Sequence, residues 1–430
     1  MDDRPGPPRG GDEGAASTEG PPSTRGVGRA FTSLGQPAFR NLWIGMLLQM
    51  GSQQMQVFTR GYLVFDLTGS ATLLGVVTGA MSLPIVTLGL FGGVLADRLD
   101  KRRMIQTAQA MSFFITLGLG VVIAAGLVTW IHLLIASLAQ GVAIAFMMPT
   151  RQAMIPQLVP RELLTNAVAL NAMSQSLLWM LAPAVAGVLV GVIGVDGVYF
   201  LMAAMHVFAI VFIGRVPRLE KGTEVGQTLL QDLAQGIRYI VATPQIRLLL
   251  MLTFATTLFN EPLRSMLPVF AKEVFEVESG GLGLMLSVMG IGSVVGSLVI
   301  ASASKTEGRG RRLLVVSLLS GVVLLGFSLV SSFTPAFWLG AAFLAAIGAA
   351  QPLRRILSNS LVLENADPQF RGRVMSLFFL LFGMTPAAML PLGVLTDAIG
   401  APMAFIAMAT VMLVLVALMF VFSPVLRRLQ

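Results

Sequence analysis

The segment Gly92–Ile105, Gly-Gly-Val-Leu-Ala-Asp-Arg-Leu-Asp-Lys-Arg-Arg-Met-Ile, is a short charged stretch between two long apolar runs. Asp97 falls where the preceding helix is predicted to end. A carboxylate at that position is repelled by the negative end of the helix dipole unless a partner compensates it. The cations that follow suit a helix C-terminus and an anionic membrane surface. The segment therefore predicts a loop between two membrane helices that also serves as an interhelical latch.

The composition of the chain is that of a polytopic membrane protein. Of its 430 residues, 55% are hydrophobic and 12% are charged, and the mean hydropathy is +0.81. A soluble protein carries about 25% charged residues. The net charge of +8 comes from cations at the ends of apolar runs, so we expect no nucleic-acid partner. The chain has no cysteine, and His132 and His206 form no metal-binding pattern.

The charged segment resembles the Gly-x-Leu-Ala-Asp-Arg-x-Gly-Arg-Lys signature of the major facilitator superfamily, found between the second and third spans. Asp100 stands where the signature has its second glycine. In the family, the aspartate holds the loop to the other half of the protein in the outward-facing state. The alternative is that these charges only set the topology. The residues that the resemblance assigns to a conformational latch are Gly93, Asp97, Arg98, Lys101 and Arg102.

Apolar runs long enough to span a membrane recur from about residue 39 to residue 422, and they number about twelve. Similar polar patterns in the two halves indicate an internal repeat. We predict an all-α membrane protein of two six-helix bundles, the fold of the major facilitator superfamily. The predicted domains are a disordered tail (1–36), an N-terminal bundle (37–214), a linker with an amphipathic helix (215–245) and a C-terminal bundle (246–430).

Charge asymmetry between the loops predicts the orientation. Lysine and arginine gather in one set of loops, as at Arg98–Arg103 and Arg371, whereas the other set carries Asp66, Asp196 and Asp397. By the positive-inside rule, the basic loops and both termini are cytoplasmic. The sequence thus predicts a multi-pass protein of the plasma membrane, the inner membrane of the cell.

Further motifs narrow the resemblance. Phe39-Arg-Asn-Leu-Trp, Asp66-Leu-Thr-Gly-Ser and Arg371-Gly-Arg-Val-Met-Ser resemble the branch that holds the bacterial enterobactin exporter and the macrolide efflux proteins. The similarity extends from about Phe39 to the last span. It implies export of a small organic molecule by alternating access.

Polar residues on membrane helices are costly and usually face a cavity, which makes them the candidates for substrate contact. Two stripes at helical spacing stand out, one on the first span and one on the seventh. In the resembled fold, the fourth and tenth spans also line the central cavity. Gln140 on the fourth span and Arg354 on the tenth are therefore lesser candidates. The cavity candidates are Gln49, Gln53, Gln56, Arg60, Gln140, Thr253, Thr257, Asn260 and Arg264.

Glu261 is the carboxylate that falls near the middle of a predicted span, on the same stripe as Arg264. Burial and the nearby cation shift its proton affinity in opposite directions. Three roles stay open: proton coupling, a static ion pair with Arg264, and direct contact with the substrate.

These observations predict a secondary active transporter that exports a siderophore-like molecule or an amphipathic drug, with proton antiport. The energy source is the proton gradient, so we expect no cofactor and no enzymatic activity. The remaining partners are the substrate and membrane lipid, and we expect a monomer. The alternatives are an importer or lipid flippase of the same fold, or a membrane sensor or scaffold that transports nothing.

Overall fold

The computed structural model describes residues 27–89, 100–218, 229–302, 308–367, 369–383 and 388–427. These residues are almost entirely helical, and none of them forms a strand. The chain first forms a short 3-10 helix, Val27–Gly35, in which the backbone N–H of Ser33 donates to Asn166 Oδ1 at 3.0 Å. Ordered structure therefore begins inside the segment that we predicted to be a disordered tail.

Six helices follow and make up the N-half. A long helical run, Arg161–Gly214, is broken at Gly194, whose φ of 75° and ψ of 168° are non-helical. Because the backbone at Gly194 is not helical, we treat the two parts as separate helices. Glycine has no Cβ and adopts this conformation at little cost. The N-half comprises α1 (Pro37–Thr68), α2 (Ala71–Gly89, with a turn at Met81), α3 (Lys101–Ala124), α4 (Trp130–Leu158), α5 (161–193) and α6 (195–214).

A further helix, α7 (Leu229–Ala242), precedes the C-half and meets the next helix at a bend of 104°. The ring of Tyr239 stacks on Phe370 with centroids 4.2 Å apart, and its hydroxyl accepts from the N–H of Asp367. The C-half comprises α8 (Pro244–Val269, continued by a π-helical turn at Phe270–Val274), α9 (Ser279–Ser302), α10 (Arg309–Phe333), α11 (Phe337–Asn365), α12 (Arg371–Gly383), α13 (Met389–Ile399), α14 (Ala401–Phe422) and α15 (Pro424–Arg427).

Seven of the described helices are long and apolar enough to cross a membrane, or eight if the bent pair Ala234–Ala242 and Pro244–Val274 is one span. This count covers the described residues and is smaller than the predicted dozen. The run Arg161–Gly214 counts once although it holds α5 and α6, and residues 384–387, between α12 and α13, lie outside the described part of the chain. Helices α1 and α11 carry many polar side chains, which lowers their hydropathy although they lie within the bundle.

Apolar packing divides the bundle into two ends. At the end where Asp66 and Asp397 lie, here called the acidic end, one continuous apolar core contains side chains of both halves. At the opposite end, here called the basic end because Lys101, Arg102 and Arg371 lie there, the core is split in two. One cluster there belongs to the C-half and the other to the N-half. The two halves are therefore packed together at the acidic end.

Candidate functional site

The acidic end is closed by a carboxylate of one half that caps a helix of the other. Asp397 on α13 accepts hydrogen bonds from Ser70 Oγ (2.8 Å) and from the backbone N–H groups of Ala71 (2.7 Å) and Thr72 (2.9 Å). The first N–H groups of a helix have no partner within it and form the positive end of its dipole. A carboxylate at the start of α2 therefore accepts hydrogen bonds from these free N–H groups and places a negative charge at the positive end of the helix dipole.

A second charged contact crosses the same end. Lys272 Nζ lies 2.7 Å from Asp66 Oδ1, and both side chains are about half exposed. An exposed ion pair of this kind contributes about 0–1 kcal/mol. A helix cap is typically worth about 1 kcal/mol, and hydrogen bonds to an ionised group are the stronger kind. We therefore assign more of the polar closing energy to Asp397 than to Lys272.

Replacing Asp397 with asparagine is expected to weaken this closure, because the charge is lost while the volume is kept. The expected shift is about 1–2 kcal/mol toward the state open at the acidic end, or roughly a tenfold change in population. The chain has no cysteine, so a single Leu286→Cys reporter can be labelled with an impermeant maleimide from the acidic end.

The matched control for this measurement is Asp196→Asn. Asp196 also lies at the acidic end, and it forms no hydrogen bond to the C-half among the described residues. Labelling of the reporter should be faster in the Asp397 variant than in the control. Equal labelling rates in the two variants would show that Asp397 does not hold the halves together.

Glycines let the halves approach closely beneath these polar contacts. A Cβ on Gly75 of α2 would overlap the carbonyl group of Met389 at the start of α13. A Cβ on Gly393 would likewise overlap the carbonyl of Ala71, and one on Gly187 of α5 would lie 2.8 Å from Gly283 Cα on α9. These are backbone contacts that no rotamer change can relieve. The closed acidic end therefore depends on small residues where α2 meets α13 and α5 meets α9.

A small cavity lies below the closed end, between the two halves. Arg60 of α1 and Arg264 of α8 both line it, together with the hydroxyl-bearing residues Thr78 and Ser265. Arg60 is eight residues from the end of α1, which places it about 12 Å below that end at 1.5 Å per residue. The rest of the wall is Val57, Phe58, Gly61, Pro183, Pro268, Leu282 and Leu286. The structure thus brings the two predicted arginines to one interface.

Arg264 is held by the opposite half through residues that the sequence did not single out. Its Nη2 donates to Gln54 Oε1 (3.1 Å) and to the carbonyl oxygen of Trp179 (3.3 Å). The guanidinium carbon lies 4.5 Å from the centre of the Trp179 ring, a cation–π contact. Gln54 lies off the stripe of Gln49, Gln53 and Gln56, so helical spacing alone did not indicate it.

Arg60 has a different environment. Its side chain is 3% exposed, Nη2 lies 3.8 Å from Met81 Sδ, and Nη1 has no hydrogen-bond partner among the described residues. Gln56, one turn earlier on α1, is also buried, and its Nε2 is likewise without a partner among them. Two side chains on successive turns of α1 therefore carry buried N–H groups without a partner among the described residues.

Glu261 lies one turn before Arg264 on α8 and is half-buried. Its carboxylate forms no ion pair or hydrogen bond within the described residues, although it interacts electrostatically with both Arg264 and Arg354. Arg264 instead directs its hydrogen bonds to the opposite half. A tight Glu261–Arg264 pair, one of the predicted alternatives, is not present in this conformation.

Among the remaining cavity candidates of the N-half, Gln49 and Gln140 are buried and Gln53 is half-buried. Gln49 Nε2 donates to Gln53 Oε1 at 3.1 Å, one turn along the same helix. Gln140 on α4 donates to Ser112 Oγ on α3 at 3.2 Å. In this conformation the Gln140 amide bonds to a neighbour in its own half, and its place in the cavity wall stays a prediction.

Candidates of the C-half are also engaged internally. Asn260 donates to the carbonyl of Thr256 and accepts from Ser320 Oγ on α10, and Met412 of α14 contacts its Nδ2. These partners lie inside the C-half, so in this conformation Asn260 bonds within its own half, and its contact with substrate stays a prediction. Thr253 bonds with Ser358 of α11, and Arg354 donates to the carbonyl of Thr256. Thr257 is buried as well.

The predicted latch at the basic end is only partly described. Gly93, Asp97 and Arg98 lie outside the described residues. Asp100 caps α3 by accepting from the N–H groups of Arg102 and Arg103. Arg102 Nη1 donates to the carbonyl of Val216, just past the end of α6, where a cation suits the negative end of the dipole. Lys101 is buried. In this conformation Arg102 binds within the N-half.

The chain is similar in sequence to a family of membrane transporters along almost its whole length. A family model described as "Transmembrane secretion effector" matches residues 28–428. The chain is 24% identical over 340 residues to the "Staphyloferrin A transporter" of Staphylococcus aureus, covering 77% of this chain and 82% of that protein. It is 25% identical over 382 residues to the "Multidrug efflux pump Tap" of Mycolicibacterium fortuitum, covering 86% and 91%.

Solved structures agree on the fold. The nucleoside transporter NupG superposes with a TM-score of 0.72 at 16% identity over 90% of this chain and 99% of that one. A D-xylose-proton symporter gives a TM-score of 0.70 at 13% identity over 90% and 98%. At these identities the likeness is one of fold: an all-α bundle of the major facilitator type.

Proposed function

The chain belongs to the transmembrane secretion effector family of the major facilitator superfamily, and we propose from this that it exports a small organic molecule by alternating access. The observation that carries the proposal is the uneven core. One shared apolar core joins the halves at the acidic end, while each half keeps its own core at the basic end. Such a molecule can open at either end by rocking its halves about a central site.

In this proposal the acidic end faces outward and the basic end faces the cytoplasm, in the plasma membrane of the cell. The positive-inside rule supports this orientation, because Lys101, Arg102, Arg371 and Arg427 all lie at the basic end. The structure would then represent a state closed to the outside, with the cavity of Arg60 and Arg264 beneath the outer closure.

The names of the relatives indicate which class of substrate to propose. One is named for staphyloferrin A and others for macrolides and for multiple drugs, so a siderophore-like or amphipathic molecule is the proposed cargo. For the driving force we propose proton antiport through Glu261. Its half-buried carboxylate is near Arg264, whose partners lie in the opposite half and must change when the halves move apart.

Inverted membrane vesicles provide the test, with staphyloferrin A and erythromycin as probes. We expect time-dependent accumulation of at least one probe when respiration acidifies the lumen, and loss of that accumulation when a protonophore is added. Vesicles without the protein are the control. Accumulation only in right-side-out vesicles would show an importer. Transfer of labelled lipid without either probe would show a flippase, and no transport of any kind would favour a sensor or scaffold.

A further inference from the structure

Helix α7 lies across the basic end of the molecule. It meets α8 at a bend of 104°, and α8 with its π-helical turn runs through the bundle from Arg247 at the basic end to Lys272 at the acidic end. The axis of α7 is therefore close to perpendicular to a helix that crosses the bundle. In a protein that spans a membrane, a helix in this position lies roughly in the plane of the membrane surface.

One face of α7 is fixed to the C-half. The ring of Tyr239 stacks on Phe370, and the Tyr239 hydroxyl accepts from the N–H of Asp367. A Cβ on Gly236, about one turn earlier, would lie 3.2 Å from Arg373 Cβ at the start of α12. These contacts set the rotation of α7 about its own axis, so the residues on its opposite face are defined.

The opposite face is exposed and partly apolar. Ile237 and Val241, one turn apart, have exposed fractions of 48% and 57%. At 3.6 residues per turn, the exposed Arg238 lies beside this pair and Gln235 lies further round the helix. An apolar pair bordered by an arginine suits shallow insertion into a lipid surface, because the arginine stem lies on the apolar region while its charge stays among the headgroups.

Arginines also surround the two ends of this exposed face. Arg247 Nη1 donates to the carbonyl of Val241 near the end of α7, and the exposed Arg371 follows directly after Phe370. With Arg238, these cations outnumber Asp367, the acidic residue that α7 contacts. The surface around the apolar pair is therefore positively charged, which complements a membrane that carries anionic lipid.

We propose that Ile237, Arg238 and Val241, here called the α7 surface, bind anionic phospholipid in the membrane leaflet at the basic end. Ile237 and Val241 contact the acyl chains, and Arg238 and Arg371 contact the lipid phosphate. Because the other face of α7 is bound to the start of α12, the lipid also holds this part of the C-half at the membrane surface. The proposal goes beyond the export function and does not depend on the identity of the cargo.

Spin-label accessibility tests the contact with acyl chains. The chain has no cysteine, so Ile237→Cys and Val241→Cys each give the full-length protein a single labelling site. In nanodiscs of phosphatidylcholine and phosphatidylglycerol that hold one copy, both labels should be relaxed by oxygen, which partitions into lipid, and protected from a water-soluble nickel complex. Gln235→Cys is the matched control on the same helix, and its label should be accessible to nickel.

Brominated lipids test the preference for anionic headgroups. At equal bromine content, a bimane fluorophore on Val241→Cys should be quenched more strongly by brominated phosphatidylglycerol than by brominated phosphatidylcholine. One arginine near an anionic surface is worth about a fivefold preference, so Arg238→Gln should lower the preference by about that factor, and Arg238→Lys should retain it. Arg103→Gln removes an exposed arginine at the basic end of the N-half and should leave the preference unchanged.

Four outcomes decide the proposal. Nickel accessibility at positions 237 and 241 equal to that at position 235 would overturn it and show that the α7 surface faces water or a soluble partner. Equal quenching by the two brominated lipids would overturn the preference for anionic lipid. Protection that requires two copies in one nanodisc would identify a second copy of the chain as the occupant. Protection and selective quenching in a protein that transports neither vesicle probe would support the lipid site and contradict the export function alone.

Discussion

Gly75→Val is expected to reduce transport to background while leaving each half folded. Gly75 faces Met389 across the boundary between the halves, and a Cβ there would overlap the carbonyl of that residue. Backbone atoms cannot move aside as a side chain can, so α2 and α13 must separate. The variant should therefore be held open at the acidic end and unable to complete the cycle.

Two measurements check this expectation. Vesicle transport should fall to the level of vesicles without the protein, and the single Leu286→Cys reporter should be labelled rapidly from the acidic end. Gly118→Val is the matched control, because it makes the same change in α3 at a position with nothing within 4 Å of the added Cβ. Wild-type transport by the Gly75 variant would show that close contact of α2 with α13 is not part of the cycle.

Glu261→Gln is expected to abolish proton-driven accumulation and preserve substrate binding. Glutamine mimics the protonated acid and cannot lose its proton. In the closed state Arg264 is bound by Gln54 and Trp179 of the opposite half, and Glu261 has no ion-pair partner among the described residues. When the halves separate, Arg264 loses those contacts, so the electrostatic environment of Glu261 changes between the two states. Such a difference is what coupling requires.

Two quantities are measured in the Glu261 variant: accumulation of substrate driven by the proton gradient, and exchange of substrate down its own gradient. We expect accumulation to be lost and exchange to be retained. Glu364→Gln is the control, since Glu364 pairs with Arg309 at the basic end and is about half exposed. Accumulation at the wild-type level in the Glu261 variant would exclude it as the coupling residue. Loss of folded protein in this variant alone would instead indicate a structural role.

The fold was predictable because its causes are local. Long apolar runs and the alternation of basic and acidic loops follow from the physics of the bilayer and are visible in composition alone. The polar stripes were visible for the same reason, and Arg60 and Arg264 do line one cavity.

Which side of a helix faces the cavity was less predictable. Asn260 and Glu261 are adjacent, yet Asn260 bonds to α10 and α14 inside the C-half. A helix in the middle of a bundle is surrounded by protein, so a polar residue finds hydrogen-bond partners in several directions. Helical spacing indicates the stripe but not what the stripe faces.

Contacts between the halves were the least predictable. Gln54 and Trp179 matter because Arg264 reaches them across the interface, and nothing in their local sequence indicates that approach. Asp397 looked like one of several loop acids, whereas the structure places it on the N-terminus of α2. Residues 27–35 illustrate the same point, since their helix depends on packing against α5 through Ser33 and Asn166.

The cap on α2 has a consequence for how this closure can be detected across related sequences. Ala71 bonds to Asp397 through its backbone N–H group, which every residue other than proline supplies. A side-chain change at position 71 therefore needs no compensating change at position 397. The hydroxyl groups of Ser70 and Thr72 also bond to Asp397, so changes at those two positions do affect the cap. We expect residue 71 to show little covariation with residue 397 in an alignment, although the contact is direct.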